Sequence, residues 1–277
     1  MNTNIELFHN RVTFPHTTDA DTANGAVIYK GPSMIDGAPI VAIITGFIDP
    51  SKNDKTGPML QVWIMRSDIP PTEAAHNGAD ESVCGNCPAR GRIIADALRG
   101  TRNVERFCYV LLHNAPLSVY NSYHKGNYAA ATTDAARRAI GEGETIRMGA
   151  YGDPAALPLN VWRSLLSGAQ DWTGYTHQWR EAAGLARWCM ASTDTPEEYM
   201  EARSAGWRSF RVRKHSEPLL PGERVCPASD EAGKLTQCIK CRACSGNDGR
   251  GHSSIAIYEH GAGAKHRKVI PIAAVAA

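Results

Sequence analysis

Ile146-Arg147-Met148-Gly149-Ala150, then Leu159-Asn160-Val161-Trp162-Arg163-Ser164-Leu165-Leu166-Ser167, then Trp172-Thr173-Gly174-Tyr175-Thr176: read in order, these are a short apolar run, a helical run and a second short apolar run. Strand, helix, strand argues for parallel β units, in an open sheet or a partial (β/α) barrel. The pattern continues outward. Further strands are expected at Phe107–Leu112, Arg187–Ser192, Trp207–Val212 and Ser254–Tyr258, and further helices at Ala129–Ala139 and Pro196–Ala205. Thr195-Pro196-Glu197-Glu198 is a strong helix start, with a capping hydroxyl, proline in the first turn and acids against the helix dipole. Upstream, 38–45 and 59–66 read as an antiparallel pair joined by the turn-rich Asp49–Pro58. Residues 67–108 form a long connection with a short helix expected near Ile93–Leu98, and a connection of that length is usually functional.

The expected organisation is an extended polar arm at 1–37, an α/β domain at 38–225 and a Cys-rich metal-binding segment at 226–277 that ends in a strand and an Ala-rich tail, Ala273–Ala277. With 277 residues, 43% hydrophobic and 21% charged, the chain can bury a sizeable core, and its net charge of +2 singles out no class of partner. No apolar run approaches the ~20 residues of a membrane span. The start Met1-Asn2-Thr3-Asn4-Ile5-Glu6 lacks a basic, apolar leader. A cytoplasmic location is therefore expected, and there thiols stay reduced. Eight cysteines in such a setting point to metal binding rather than disulfides.

Cys226 followed by Cys238-Ile239-Lys240-Cys241-Arg242-Ala243-Cys244 is the strongest motif. Three cysteines at intervals of three can turn their thiolates inward from one tight loop, with Cys226 as the fourth ligand. A [4Fe-4S] cluster needs this, because each cysteine caps a separate iron of one compact body. Zinc is the rival, although its usual layout is two separated Cys-x-x-Cys knuckles. The second group is Cys84-Gly85-Asn86-Cys87 with Cys108. Three thiolates would leave one metal position for a substrate or cofactor; a redox pair at Cys84 and Cys87, or a zinc knuckle completed by His76 or His113, are the alternatives. Cys189, between Trp188 and Met190, reads as a buried free thiol.

Three stretches resemble radical S-adenosylmethionine enzymes, and the chain as a whole resembles Cys-rich phage proteins distantly similar to them. Cys108-Tyr109 resembles the end of the cluster motif. Gly149-Ala150-Tyr151-Gly152-Asp153-Pro154 resembles the Gly-Gly-Glu-Pro turn that receives the methionine amino group, and Ser192-Thr193-Asp194-Thr195-Pro196 resembles a later strand-to-helix stretch. The C-terminal cysteines are similar in placement to an auxiliary cluster domain. An insertion separates Cys87 from Cys108, and Asp153 stands where glutamate is usual. The resemblance implies a partial (β/α) barrel with an open-site cluster at Cys84, Cys87 and Cys108. It also implies S-adenosylmethionine bound by Gly149, Tyr151, Gly152, Asp153, Ser192 and Asp194, and a host-cell cytoplasmic setting.

Tyr175, His177 and Trp179 also fall at or just past an expected strand end, where barrel active sites sit; His177 is a candidate for proton transfer or metal ligation. Arg208, Arg211, Arg213 and Lys214 form a basic run, either a solvated edge or a phosphate contact. Two functions are therefore expected to compete. One is redox or radical chemistry by an iron–sulfur protein. The other is a non-catalytic iron–sulfur or zinc module that binds nucleic acid or a host protein.

Overall fold

The computed structural model describes residues 23–96, 100–249 and 253–259. Apolar, β-branched runs build the centre of the fold. Strands β1 (Gly25–Pro32), β2 (Pro39–Thr45) and β3 (Leu60–Arg66) pair antiparallel. In β2, Ile40 to Ile44 are fully buried, as a strand covered on both faces requires. Beyond β3 the sheet turns parallel: β7 (Thr145–Tyr151), β8 (Asp171–Thr176), β9 (Met190–Thr193), β10 (Ser209–Arg213), β12 (Ser254–Tyr258) and β11 (Glu223–Val225) follow side by side. Adjacent strands are thus successive in the chain except for the last two. A two-residue strand, β6 (Ala129–Ala130), adds to β1 at the opposite edge. The result is a mostly parallel ten-stranded sheet whose edge strands, β11 and β6, do not pair with each other. No helix among the described residues is long and apolar enough to cross a membrane.

Helices α1 (Pro71–Asn77), α2 (Glu81–Cys84), α3 (Ala115–His124), α4 (Asp134–Gly141), α5 (Leu159–Leu166), α6 (Pro196–Ser204) and α7 (Cys238–Cys241) complete the chain. The capping chemistry at 195–198 operates as its residues dictate: Thr195 Oγ1 accepts the Glu198 N–H at 3.2 Å, and the Glu198 carboxylate accepts the Asp194 N–H at 2.7 Å. The main core packs Trp162 and Leu165 of α5, Ala202 of α6 and Cys189 with the central strands. A smaller core joins Met190, Ile255 and Ile257 to Cys226 and Cys244, with Tyr175, Phe210 and Val212 against it.

Several expectations change. The stretch 93–98 is not a helix: Ile93 and Ile94 lie in β4 (Arg92–Asp96), which pairs antiparallel with β5 (Gly100–Val104) as a separate ribbon, with 97–99 outside the described residues. Phe107–Leu112 forms no strand, because the Phe107 and Cys108 N–H groups bond the Ala89 carbonyl (3.2 and 3.0 Å) and are drawn out of any ladder. In the expected helix at 129–139, Ala129 and Ala130 are strand and the helix starts at Asp134, where Thr133 Oγ1 accepts the Ala136 N–H at 3.2 Å. Residues 25–32, inside the expected arm, are β1; the rest of that arm up to residue 22, and the tail Ala273–Ala277, lie outside the described residues.

The arginines of the basic run are turned inward rather than forming a solvated edge, and only Lys214 of the four is exposed. Arg211 and Glu223 have fully buried side chains and meet bidentately, at 2.7 and 2.8 Å. Arg208 donates to the carbonyls of Ala243, Gly246 and Ser253, and Arg213 pairs with Glu231. Alternation along β10 puts Ser209, Arg211 and Arg213 on one buried face. A buried pair stabilises little net, but removal of one partner strands the other. Glu223→Ala is expected to cost about 3–5 kcal/mol in urea unfolding; a loss under about 1 kcal/mol would show that Arg211 finds water instead.

Candidate metal centres

The first group is assembled by local turns and one ribbon. Helix α2 ends at Cys84, and Gly85 (φ +55°) reverses the chain, with the Cys87 N–H bonding the Cys84 carbonyl at 3.3 Å. A left-handed residue here must be close to glycine in shape, because a Cβ at Gly85 would lie 2.3 Å from the Gln178 side chain. The insertion between Cys87 and Cys108 is the β4–β5 ribbon. Its register, Arg92 opposite Val104, returns the chain to its starting point and sets Cys108 against Ala89. The Asp80 carboxylate, 1% exposed, fastens both ends. It accepts from Arg90 just after Cys87 (2.9 and 3.0 Å) and from Arg106 just before Cys108 (3.0 Å). Cys84, Cys87 and Cys108 consequently stand within electrostatic reach of one another, each pair included.

This group sits at the carboxyl ends of β7, β8 and β9, where parallel sheets place ligands. The β3–β7 register shifts between Gln61 and Trp63 because Gly149 and its neighbours bulge out. Gly149 (φ +70°) and Gly152 (φ +84°) have no room for a Cβ, which would lie 2.4 Å from the Gly152 carbonyl and 2.5 Å from the Ile64 carbonyl respectively. The turn meets the cysteines directly, with the Asp153 N–H on the Val83 carbonyl at 2.6 Å. The Asp153 carboxylate accepts the N–H groups of Ala155 (2.9 Å) and His177 (2.8 Å), so it also caps the 154–156 turn. Burial raises the Asp153 carboxyl above its usual range, opposed by its hydrogen bonds from Ala155 and Thr176.

His177 Nε2 lies 3.3 Å from Asp194 Oδ2 and 4.0 Å from Cys87 Sγ. Burial opposes its charge, but Cys87 and Asp194 outweigh burial and hold the imidazolium well above the ordinary histidine range. Gln178 clamps the loop, donating to the Cys84 carbonyl (3.2 Å) and accepting from the Asn86 N–H (3.4 Å). Ser192 lies within β9, its carbonyl taking the Trp179 indole N–H at 3.2 Å. Tyr151 is 3% exposed, and its hydroxyl has no hydrogen-bond partner although Cys84, Asp80, Arg106 and Cys108 surround it. A buried hydroxyl left open near Cys84 and Cys108 fits a group that supplies an acceptor there.

The second group is drawn from the carboxyl end of β11 and from α7 with the loop that follows it. Cys226 follows β11 and donates its N–H to the Ala256 carbonyl at 2.9 Å. Helix α7 is moored by the turn before β3: Cys238 N–H to the Lys55 carbonyl (2.9 Å), Ile239 N–H to Thr56 (3.0 Å) and the Gln237 amide to Asp54 (2.9 Å). Cys244 accepts the Gly174 N–H of β8 at its carbonyl, 3.1 Å, and Arg208 holds the loop beyond it. All six pairs among Cys226, Cys238, Cys241 and Cys244 fall within electrostatic reach. Burial raises the Cys244 thiol, against a hydrogen bond donated by the Tyr175 hydroxyl; burial also raises Cys226 and Cys238, with the Lys55 ammonium opposing. Four thiols with a nearby cation are a donor set of the kind that metals bind, and a bound metal's charge would drive the thiols to ionise.

Among the described residues, no three His, Cys, Asp or Glu side chains are placed to hold a metal ion. The thiols of each group are gathered without meeting at one point. His76 and His113 are exposed, and the imidazole that reaches the first group is His177. Asp80, Arg90, Arg106 and Gln178 escaped sequence reasoning; a usable signal was the position of Asp80 one helical turn before Cys84 and of the arginines beside Cys87 and Cys108. No protein-family model, curated protein or solved structure matches the chain.

The metal-free protein offers a direct check. Cys189 is fully buried and its thiol is raised well above the usual range by burial, so it should react last with a disulfide reagent. Asp80→Asn should speed the labelling of Cys84 and Cys108 at least tenfold and leave Cys226 and Cys244 unchanged. Equal rates in the parent and variant proteins would show that Asp80 does not fasten the first group.

Proposed function

We propose that the chain is an iron–sulfur protein with two thiolate-held [4Fe-4S] clusters that carries out redox or radical chemistry of the S-adenosylmethionine type, on a partial (β/α) barrel. What carries the proposal is one observation: the β4–β5 ribbon gathers Cys84, Cys87 and Cys108 at the carboxyl ends of β7 to β9, beside the Gly149–Pro154 turn. The order along the chain supports it too, because the strands that follow the first cysteine group run parallel and nearly in sequence. The spacing of Cys238, Cys241 and Cys244 suits a multi-iron body better than the two separated knuckles usual for a single zinc.

Bound there, a three-thiolate cluster would supply one-electron reduction and an iron position open to the cofactor. The chain's own residues do the rest. Gly149 and Gly152 bring bare backbone to the site, and Tyr151 offers a hydroxyl with no other partner. His177 and Asp194 form a charged pair at its edge, able to hold a proton at Nε2. Asp153 orients the strand ends of β7 and β8 through its two N–H partners and has lone pairs left for a cation.

The nucleic-acid alternative loses one of its supports, because Arg208, Arg211 and Arg213 are turned inward. The test is anaerobic protein with dithionite and S-adenosylmethionine. Release of methionine, abolished by Cys84→Ala with Cys87→Ala, is the expected result. Full cluster content with neither cofactor binding nor cleavage would overturn the S-adenosylmethionine half.

A further inference from the structure

A cavity of about 1150 Å³ opens at the carboxyl ends of β10, β12 and β11, and none of the cysteines lines it. Tyr258 and Glu259 at the end of β12 face it, with His215 just past β10 and Glu231 in the loop past β11. Open parallel sheets place ligands outside these strand ends, and the volume admits a small molecule with some water. The His215 imidazole stacks on Tyr258, with centroids 4.1 Å and planes 25° apart, and the Arg213 guanidinium lies 4.0 Å from the same Tyr258 ring. His215 is exposed and Tyr258 is its ring partner, so one imidazole face is left for a second planar group.

The charged lining divides into committed and open groups. Lys52 pairs with Asp49 at 3.2 Å, Lys234 with Asp230 at 2.9 Å, and Glu231 with Arg213. Lys55, Lys240, Asp54 and Glu259 also line the cavity and have no ion-pair partner among the described residues. Two ammonium groups and two carboxylates suit a ligand of low net charge that presents an anion to the first and hydroxyls to the second. The Arg213–Glu231 pair at the wall leaves Nε and Oε2 without hydrogen-bond partners. An open donor beside an open acceptor fits a ligand hydroxyl, which both donates and accepts. We propose that this cavity binds a purine nucleoside monophosphate. The base stacks on His215, the phosphate lies between Lys55 and Lys240, and the ribose hydroxyls meet the carboxylate side. Stacking favours the larger purine ring, and the balanced charge disfavours a triphosphate. The proposal is independent of whether either cysteine group holds a cluster.

The experiment is equilibrium dialysis of the full chain, purified anaerobically, against AMP and GMP. Adenosine, guanosine, ATP, GTP and inorganic phosphate are the comparison probes. One monophosphate or both should saturate at one per chain and bind about tenfold tighter than the corresponding nucleoside, triphosphate and inorganic phosphate. Lys240→Met and His215→Ala, both at exposed positions, should each weaken binding about tenfold without shifting the thermal midpoint. His215→Phe keeps a ring and should retain binding. Cys84→Ala with Cys87→Ala should leave it unchanged, so failure of the cluster reading and failure of this one are separable. Absence of saturable binding overturns the proposal. So does binding indifferent to Lys240→Met and His215→Ala, or binding lost only in the cysteine variant, which would put the nucleotide at the first thiol group. Inorganic phosphate or a triphosphate bound as tightly as the monophosphates overturns the assignment of the ligand.

Discussion

A carboxylate 1% exposed must be paired, and Asp80 is paired twice, to Arg90 and to Arg106. A single buried pair is often neutral in stability, whereas the loss of one partner is not. The value of this one lies in what it joins. Arg90 follows Cys87 and Arg106 precedes Cys108, so one carboxylate fixes the two ends of an excursion that would otherwise hold the third cysteine apart. Asn103 adds a second tie, its amide donating to the carbonyls of Ala75 and Arg90 at 2.6 and 2.9 Å.

At the carboxyl ends of β7 to β9 the backbone is forced into glycine-only turns, a hydroxyl is left open, and Cys87 and Asp194 raise the His177 imidazole above its ordinary range against the opposing effect of burial. The second group is tied by backbone hydrogen bonds: α7 to the turn before β3, Cys226 to β12, Cys244 to β8. Arg208, just before β10, holds the chain on both sides of Cys244 through the Ala243 and Gly246 carbonyls.

The parallel architecture was legible in the alternation of apolar runs and helices after residue 143, and Ser254–Tyr258 was placed to the residue. The cysteine groups were legible in their spacing. What escaped was set by contacts distant in sequence. Ile93 and Ile94 carry no local signal that separates a helix from a ribbon, and the partner strand at 100–104 decides it. Phe107–Leu112 has strand composition, yet its N–H groups are claimed by Ala89. The arginines of β10 looked solvated because their acids, Glu217, Glu223 and Glu231, lie 6 to 18 residues away. His177 reaches Cys87 across 90 positions, which no spacing rule detects.

Iron, acid-labile sulfide and zinc per chain, measured on anaerobically purified protein and on two variants that lack one cysteine group each, test the account most directly. Two-cluster amounts of iron and sulfide in the parent, about eight of each, halved in either variant and without zinc, are the predicted result. A colourless protein with stoichiometric zinc, or iron that stays unchanged when Cys226, Cys238, Cys241 and Cys244 are replaced, would contradict it.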